Sequence, residues 1–303
     1  MLPLLLLLLA GPSRCTEWST TLTPHLEVRH EAPFLPPGLL MELGKVHNRL
    51  KLDLSMFAPW MSKERIRIHL YKGRESYLNG EFQPPSWSNG LTYSDKKTVV
   101  SFIQGEGRST AEILSHEMTH VLFEGYWTEA GKTAPVWLNE GLAMLEEADD
   151  RSQPERSEWF QSMSLLTDEV VLPVGRLVEY VPTQDTKEPT RDAVTLWYIQ
   201  SYSMVYFLYR AHSRMQFFNF VRGLREGSSL RESLWKVYRF QSLAKFEEAW
   251  RRWLKLPENQ QRMAAVRVQP WSASAEPPKK GDKRMKPVRF KSLEFRSLLS
   301  DGK

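Results

Sequence analysis

The stretch that decides the fold covers residues 116–120 and reads His116-Glu-Met-Thr-His120. Upstream of it, Ser109 and Glu112 have the spacing of a capping box, in which two side chains satisfy backbone N–H groups of a first helical turn. Apolar residues follow at helical spacing, and Gly125 is a suitable residue to end a helix. The sequence therefore predicts a helix over residues 110–124 that carries both histidines.

The spacing of His116 and His120 indicates a metal site. Residues four apart project from the same face of a helix, one turn from each other. Two neutral imidazoles placed in this way can bind one Zn²⁺ at ~2.0–2.1 Å. Glu117 lies one position round the helix, where its carboxylate can act as general base on a water held by the metal. The competing interpretation is two ordinary histidines beside a helix glutamate; a position on a capped helix favours the metal site.

A third ligand is available from a second string, Pro135-Val-Trp-Leu-Asn-Glu-Gly-Leu-Ala143. Pro135 suits the first position of a helix, and we expect that helix to cover residues 135–148. Glu140 then lies near its start, after a connection long enough for this helix to fold back on the first. A catalytic zinc needs three protein ligands and one open position. The alternative for Glu140 is an acid that merely favours a helix N-terminus.

Together the two strings resemble the gluzincin metallopeptidases, the class of thermolysin and aminopeptidase N. The closer similarity is to the small bacterial peptidase MA-like proteins. This resemblance implies that Glu140 is the third zinc ligand beside His116 and His120. It also implies a peptide or protein substrate and zinc-dependent hydrolysis of its peptide bonds, with Glu117 activating a zinc-bound water.

The resemblance extends to a long helix predicted at residues 191–212. There, Tyr198 is similar to the tyrosine of the aminopeptidase-like gluzincins that hydrogen-bonds the developing oxyanion. A neutral phenol of pKa near 10 suits that task. Three further tyrosines on the same segment compete for this role or are packing residues, namely Tyr202, Tyr206 and Tyr209.

The sequence departs from the aminopeptidases of this class upstream of the first helix. It lacks their Gly-Ala-Met-Glu-Asn string, whose glutamate binds the free amine of the substrate. Glu106 is the nearest acid before the helix, and an ordinary loop carboxylate explains it better. We therefore expect an endopeptidase. The predicted strand at residues 98–103 is our candidate for a sheet edge that pairs with an extended peptide.

Carboxylates outside the ligand set are expected to orient the histidines. Three candidates follow the ligands along the two helices, and the sequence does not rank them: Glu124, Glu146 and Glu147.

Around these helices the sequence predicts an α+β fold. A small mixed sheet carrying the active-site helix is followed by an all-helical C-terminal half. We place the metallopeptidase domain at residues 38–256, with an α/β half at 38–125 and a helical half at 135–256. Residues 16–36 are expected to form a loop or extended arm. The predicted elements are a helix at 38–52, a strand at 66–70, a hairpin of 91–93 with 98–103, and helices near 155–166, 174–180, 214–225, 229–238 and 242–254.

Composition excludes a nucleic-acid-binding face. The net charge of +5 comes from a basic tail, because residues 277–303 carry nine Lys or Arg against three Asp or Glu, leaving −1 elsewhere. No finger, helix-turn-helix or aromatic–basic pattern is present. We place the tail at residues 271–303. Its mixture of charge and apolar residues suits contact with an anionic membrane surface, and docking on the catalytic body is the alternative. Oligomeric state is left open.

The N-terminal residues 1–13 are expected to form a signal peptide, because a short apolar run precedes small residues. Export to the periplasm, cell envelope or medium follows from that interpretation. Cys15 is the only cysteine and cannot form an intramolecular disulfide. An alternative function is a zinc-binding pseudo-peptidase that acts as an envelope-associated binding protein, although a purely structural site has no use for Glu117.

Overall fold

The computed structural model describes residues 18–86, 88–105, 109–147, 153–181 and 191–264. Four features of the sequence lie outside these residues, so the predictions about them stay predictions: the signal peptide at 1–13, Cys15, Glu106 and the tail at 271–303. Within the described ranges, no helix combines the length and the apolarity that a bilayer crossing requires.

A mixed sheet forms the N-terminal part of the described chain. Its strands are β1 (Ser19–Leu22), β2 (Leu26–His30), β3 (Ile66–Tyr71), β4 (Gly90–Tyr93) and β5 (Thr98–Phe102). Their order across the sheet is β1-β2-β3-β5-β4. The three central strands are parallel, whereas β1 and β4 run antiparallel to their neighbours. The predicted strand at 66–70 and the predicted hairpin are confirmed.

Two predictions about strands are wrong. The loop or extended arm expected at residues 16–36 is wrong for the described residues from 18 onwards, because β1 and β2 form a hairpin that joins the sheet. The buried side chains of Leu26, Val28 and His30 alternate with more exposed ones, which is a strand signal that the sequence carries. The strand at 98–103 is not an edge either, since β5 lies between β3 and β4. The edge strand beside it is β4.

Helices make up most of the remaining described chain. They are α1 (Leu39–Leu54), α2 (Arg74–Leu78), α3 (Thr110–Thr128), α4 (Val136–Glu147), α5 (Glu158–Ser162), α6 (Val174–Leu177), α7 (Arg191–Tyr209), α8 (Arg214–Arg225), α9 (Leu230–Tyr238), α10 (Leu243–Leu254) and α11 (Pro257–Ala264). The predicted α+β fold, a small mixed sheet followed by helices, is confirmed.

The helical predictions differ in detail from the structure in several places. Helix α3 continues past Gly125 to Thr128, because Tyr126 and Trp127 bury their side chains in the core, which offsets the helix-propensity cost of glycine of about 1 kcal/mol. The predicted helix at 155–166 is divided into α5 and two flanking 3₁₀ turns, since the Ser157 side chain caps a new helix there. Helices α2 and α11 were not predicted.

The packing of α3, α4 and α7 positions the functional residues. Helix α4 lies against α3 and also against α7. Helix α3 is buried on almost every side, so apolar residues surround it. The approach of α4 to α7 is close at Gly141, where an added Cβ would lie 2.6 Å from the main-chain oxygen of Ser201. Only glycine fits there, and this contact fixes the neighbouring Glu140 relative to α7.

Candidate metal centre

The first helix of the site begins as the sequence predicts. The Ser109 hydroxyl accepts a hydrogen bond from the Glu112 N–H at 3.1 Å, and the Glu112 carboxylate accepts one from the Ser109 N–H at 2.7 Å. This capping box sets the register of α3 and places His116 and His120 on one buried face. Both imidazoles are almost fully enclosed, with 2% and 1% of their surface exposed.

The side chains of His116, His120 and Glu140 converge in the structure. The Nε2 atoms of the two histidines lie 3.2 Å apart. From α4, the Glu140 carboxylate places Oε2 3.8 Å from His116 Nε2 and Oε1 4.0 Å from His120 Nε2. One ligand atom of each residue therefore lies within 4.8 Å of the others.

This donor set fits a divalent metal ion. Ligand atoms bound tetrahedrally to zinc at ~2.0–2.1 Å are about 3.3 Å from each other, close to the separations seen between the three side chains. Two imidazole nitrogens and one carboxylate oxygen are also the ligand types of catalytic zinc sites. Among the described residues, this is the group of histidine, cysteine and acidic side chains that could hold a metal ion.

A hydrogen-bonded chain orients His120. Its Nδ1 lies 3.0 Å from Asn139 Oδ1, so the ring donates there and its Nε2 is left to bind a metal. The Asn139 amide in turn donates to the Glu124 carboxylate at 2.6 Å. The other oxygen of Glu124 accepts from the Ser94 hydroxyl at 3.1 Å. The hydrogen-bonded connection from Glu124 to His120 therefore runs through Asn139.

His116 has a carboxylate beside it. Its Nδ1 lies 3.4 Å from Glu147 Oε2, and the same oxygen accepts a hydrogen bond from the Trp159 indole at 3.1 Å. The third sequence candidate, Glu146, points elsewhere and pairs with Arg210. The structure therefore ranks the three acids, with Glu147 in direct contact with a histidine of the site.

The surroundings of His120 favour positive charge. Burial by itself lowers the pKa of this imidazole, but the carboxylates of Glu140, Glu124 and Glu117 and the hydrogen bond with Asn139 outweigh burial and raise it. The same negative potential acts on a cation bound between the two imidazoles.

Glu117 lies on α3 against the edge strand β4. Its Oε2 accepts a hydrogen bond from the Thr92 hydroxyl at 2.8 Å. An added Cβ at Gly90 would lie 2.6–2.7 Å from the Glu117 side chain, so this carboxylate rests directly on the strand. The carboxylate is buried, with 4% of the residue exposed.

Tyr198 lies on α7 one turn before Ser201, the residue that meets Gly141 of α4. Its ring packs edge-on against Trp197 at 5.1 Å between centroids. The competing tyrosines have other surroundings. Tyr202 has no exposed surface and lies beside the rings of Trp159 and Tyr206.

Sequence reasoning did not identify Asn139, Thr92 or Gly90 as parts of this site. Asn139 directly precedes Glu140 in the second string, but the sequence does not show that its side chain contacts His120. Thr92 and Gly90 lie more than twenty residues before Glu117 on another element. No local spacing relates them to Glu117, because the contact depends on how α3 packs against β4.

Comparison with known protein families places the chain in a superfamily. A family model described as the peptidase MA superfamily matches residues 54–256, which is about two thirds of the chain. The matched range includes all three helices of the site and the strands next to them. No curated protein matches the sequence.

Proposed function

The chain belongs to the peptidase MA superfamily, and from that premise we propose that it is a zinc-dependent endopeptidase. The observation that carries the proposal is that the side chains of His116, His120 and Glu140 converge, with the Glu117 carboxylate near them. Family membership supports a metallopeptidase that acts on peptides or proteins, and the donor set suits zinc among the metals.

The proposed mechanism assigns one task to each side chain. His116, His120 and Glu140 would hold the metal, which would supply Lewis acidity at the site. Glu117 takes the proton of the attacking water and passes it to the leaving amine. Tyr198 donates a hydrogen bond to the oxygen of the scissile carbonyl as negative charge develops there.

Endopeptidase activity is the finer part of the proposal. The sequence lacks the amine-binding string of the aminopeptidases, so nothing in it favours a free substrate N-terminus. Strand β4 pairs with β5 alone among the described strands. Its other edge suits an extended peptide, which can add a strand without a free end. Its residue Thr92 donates a hydrogen bond to Glu117, so a peptide at that edge would pass near the proposed base.

The experiment combines metal analysis with cleavage of a peptide library. We expect about one zinc per chain, and a strong loss of metal in His120→Ala because one of three ligands is removed. Glu117→Gln should keep zinc and fold but lose hydrolysis, since an amide cannot accept the proton. Unchanged zinc in His120→Ala contradicts the metal site. Zinc without any cleavage by the wild-type protein favours a pseudo-peptidase that binds its partner in the same cleft.

We also propose export and a membrane-contacting tail, both of which concern residues outside the described ranges. N-terminal sequencing of the mature protein tests removal of residues 1–13. Truncation after Glu276 tests the tail, whose positive charges would be attracted to anionic lipid. Loss of binding to phosphatidylserine-containing vesicles with an unchanged melting temperature supports membrane contact. A lower melting temperature without vesicle binding supports docking on the catalytic body instead.

A further inference from the structure

Two residues of β4 face the helix that carries the proposed base. Gly90 and Thr92 are two apart in the strand, so they lie on the same face of the sheet. Both contact Glu117 of α3. We call this pair the β4 seat. Neither the metal ligands nor the catalytic tasks assigned above include it.

Thr92 holds one oxygen of the base. Its hydroxyl lies 2.8 Å from Glu117 Oε2 and 3.1 Å from the main-chain oxygen of the same residue. A hydroxyl has one proton to donate, and a hydrogen bond to a carboxylate is the stronger of the two choices. Oε2 is thereby engaged by the threonine hydroxyl.

Gly90 leaves room for the rest of the carboxyl group. A Cβ at this position would lie 2.6 Å from Glu117 Cγ and 2.7 Å from both Cδ and Oε1. A side-chain Cβ does not approach non-bonded atoms this closely, so any larger residue would displace the carboxylate. The requirement for glycine here comes from close approach and not from an unusual backbone conformation.

The β4 seat is itself fixed by buried hydrogen bonds. The main-chain oxygen of Gly90 accepts from the Ser88 hydroxyl, which also contacts the Tyr77 hydroxyl at 2.9 Å. Next to it, the main-chain oxygen of Asn89 accepts from the Ser101 hydroxyl at 2.7 Å. Backbone pairing with β5 also holds strand β4 in place. A rigid support of this kind can fix the direction of a side chain that rests on it.

We propose that Thr92 is a positioning residue for the general base, with Gly90 providing the space. This inference rests on the proposed function. By holding Oε2, Thr92 fixes the rotation of the carboxylate and so the direction from which the base meets the reacting water. Proton transfer in hydrolysis depends on that geometry, because small displacements of a catalytic group cost rate steeply.

The test compares three variants of the full-length, zinc-loaded protein on a peptide that the wild-type protein cleaves. Thr92→Val keeps the shape of the side chain and removes the donor. We expect kcat to fall about 10- to 100-fold while KM changes by less than about threefold. Thr92→Ser keeps the hydroxyl and should recover most of the lost rate. Thr98→Val is the matched control, since Thr98 lies in the adjacent strand β5 and its hydroxyl donates to the main chain of Lys96 and not to Glu117.

A second readout does not depend on catalysis. Thr92→Val and Glu117→Ala remove opposite ends of the same contact, so their effects on the melting temperature should not add in the double variant. The double variant should lose less than the sum of the two single losses. Strict additivity would show that the contact does not exist in solution and would overturn the proposal.

The outcomes separate this inference from the proposed function. A wild-type protein that binds zinc but cleaves no peptide overturns both. If the wild-type protein is active and Glu117→Gln is not, the proposed function stands. In that case a Thr92→Val enzyme with wild-type kcat overturns only the positioning role proposed for Thr92. So does a Thr92→Ser enzyme as slow as Thr92→Val, because the hydroxyl would then not be the cause.

Discussion

At the scale of single residues, the site depends on what lies behind each histidine. A metal-binding imidazole needs its second nitrogen held, because that contact fixes the ring and its tautomer. Asn139 serves His120 at 3.0 Å, and Glu147 lies 3.4 Å from His116. The carboxylate beside His116 also makes that ring a better donor to a cation.

Glu147→Gln should therefore weaken zinc binding without removing a ligand. We expect the dissociation constant for zinc to rise about 10-fold or more, the usual effect of losing such a partner. Competition with a chelator of known affinity measures it. Glu129→Gln is the control, because Glu129 is exposed and follows the end of α3. This variant should bind zinc like the wild type. Equal affinity in both variants would show that Glu147 does not act on His116.

A second prediction at this scale concerns the oxyanion. Tyr198→Phe should lower kcat by roughly 10²-fold with little change in KM, as expected when a donor used only in the transition state is lost. Steady-state kinetics on a cleaved peptide measures the change. Tyr202→Phe is the comparison, because Tyr202 is fully buried among aromatic rings. A larger loss for Tyr202→Phe would assign the role to that residue.

At the scale of elements, the contact between α4 and α7 fixes how closely these two helices of the site approach each other. Gly141 follows Glu140 directly, and its missing side chain lets α7 approach to contact distance. The third ligand and the helix that carries Tyr198 are therefore held by one packing contact. Gly125 of α3 has no such neighbours, since a Cβ there would meet no atom within 4 Å outside its own helix backbone.

Gly141→Ala should lower the free energy of unfolding, whereas Gly125→Ala should raise it. At position 141 the added methyl group would meet Ser201 O at 2.6 Å and Val205 Cγ2 at 2.7 Å, so we expect a loss of about 1–3 kcal/mol in the free energy of unfolding. At position 125 the helix gains propensity, worth about 0.5–1 kcal/mol. Denaturant unfolding of both variants measures the two changes. A neutral Gly141→Ala would mean that the helices separate at no cost.

At the scale of the whole molecule, a buried charge cluster joins four helices around the site. Arg210, just after α7, lies 3.0 Å from Asp53 of α1 and 3.1 Å from Glu146 of α4. Arg49 of α1 donates to the main-chain oxygen of Glu146 at 2.6 Å and to the Ser115 hydroxyl at 2.8 Å. Ser115 precedes His116 and Glu146 precedes Glu147, so this cluster supports the backbone at both.

The charge cluster should make stability fall as pH rises. Burial raises the pKa of Glu146 to about 8, Arg210 opposes the rise and Asp53 adds to it. The folded protein then holds a proton that the unfolded chain releases near its ordinary pKa of 4.5. Between these values the folded state binds more protons, so the contribution of Glu146 to stability is present at low pH and declines towards pH 8.

Glu146→Gln replaces the neutral acid with an amide of the same shape and removes this dependence. We expect the unfolding free energy of the variant to change less between pH 5 and pH 8 than that of the wild type. The two slopes should differ by at most about 1.4 kcal/mol per pH unit. Chemical denaturation across this range, on metal-free protein, measures the slope. Parallel profiles for the two proteins would show that Glu146 is already ionised at pH 5.

The sequence alone determined the features that depend on short spacing. The i, i+4 relation of His116 and His120 fixes their common helix face, and the Ser109 capping box fixes where that helix begins. Alternation predicted strand β3, two short runs flanking the turn residues 94–97 predicted the β4–β5 hairpin, and helical periodicity predicted most of the longer helices. These signals work because backbone geometry within one element is set by the residues of that element.

The tertiary structure alone decided which distant residues meet. Glu147, Asn139 and Thr92 reach the site only because α4 and β4 pack against α3, and no spacing along the chain encodes these contacts. The same holds for β4 as the sheet edge, which depends on the order of strands across the sheet. Helix α3 passes Gly125 because burial of Tyr126 and Trp127 outweighs a local stop signal. Packing free energy is summed over long-range contacts, and it overrides local preference wherever the two disagree.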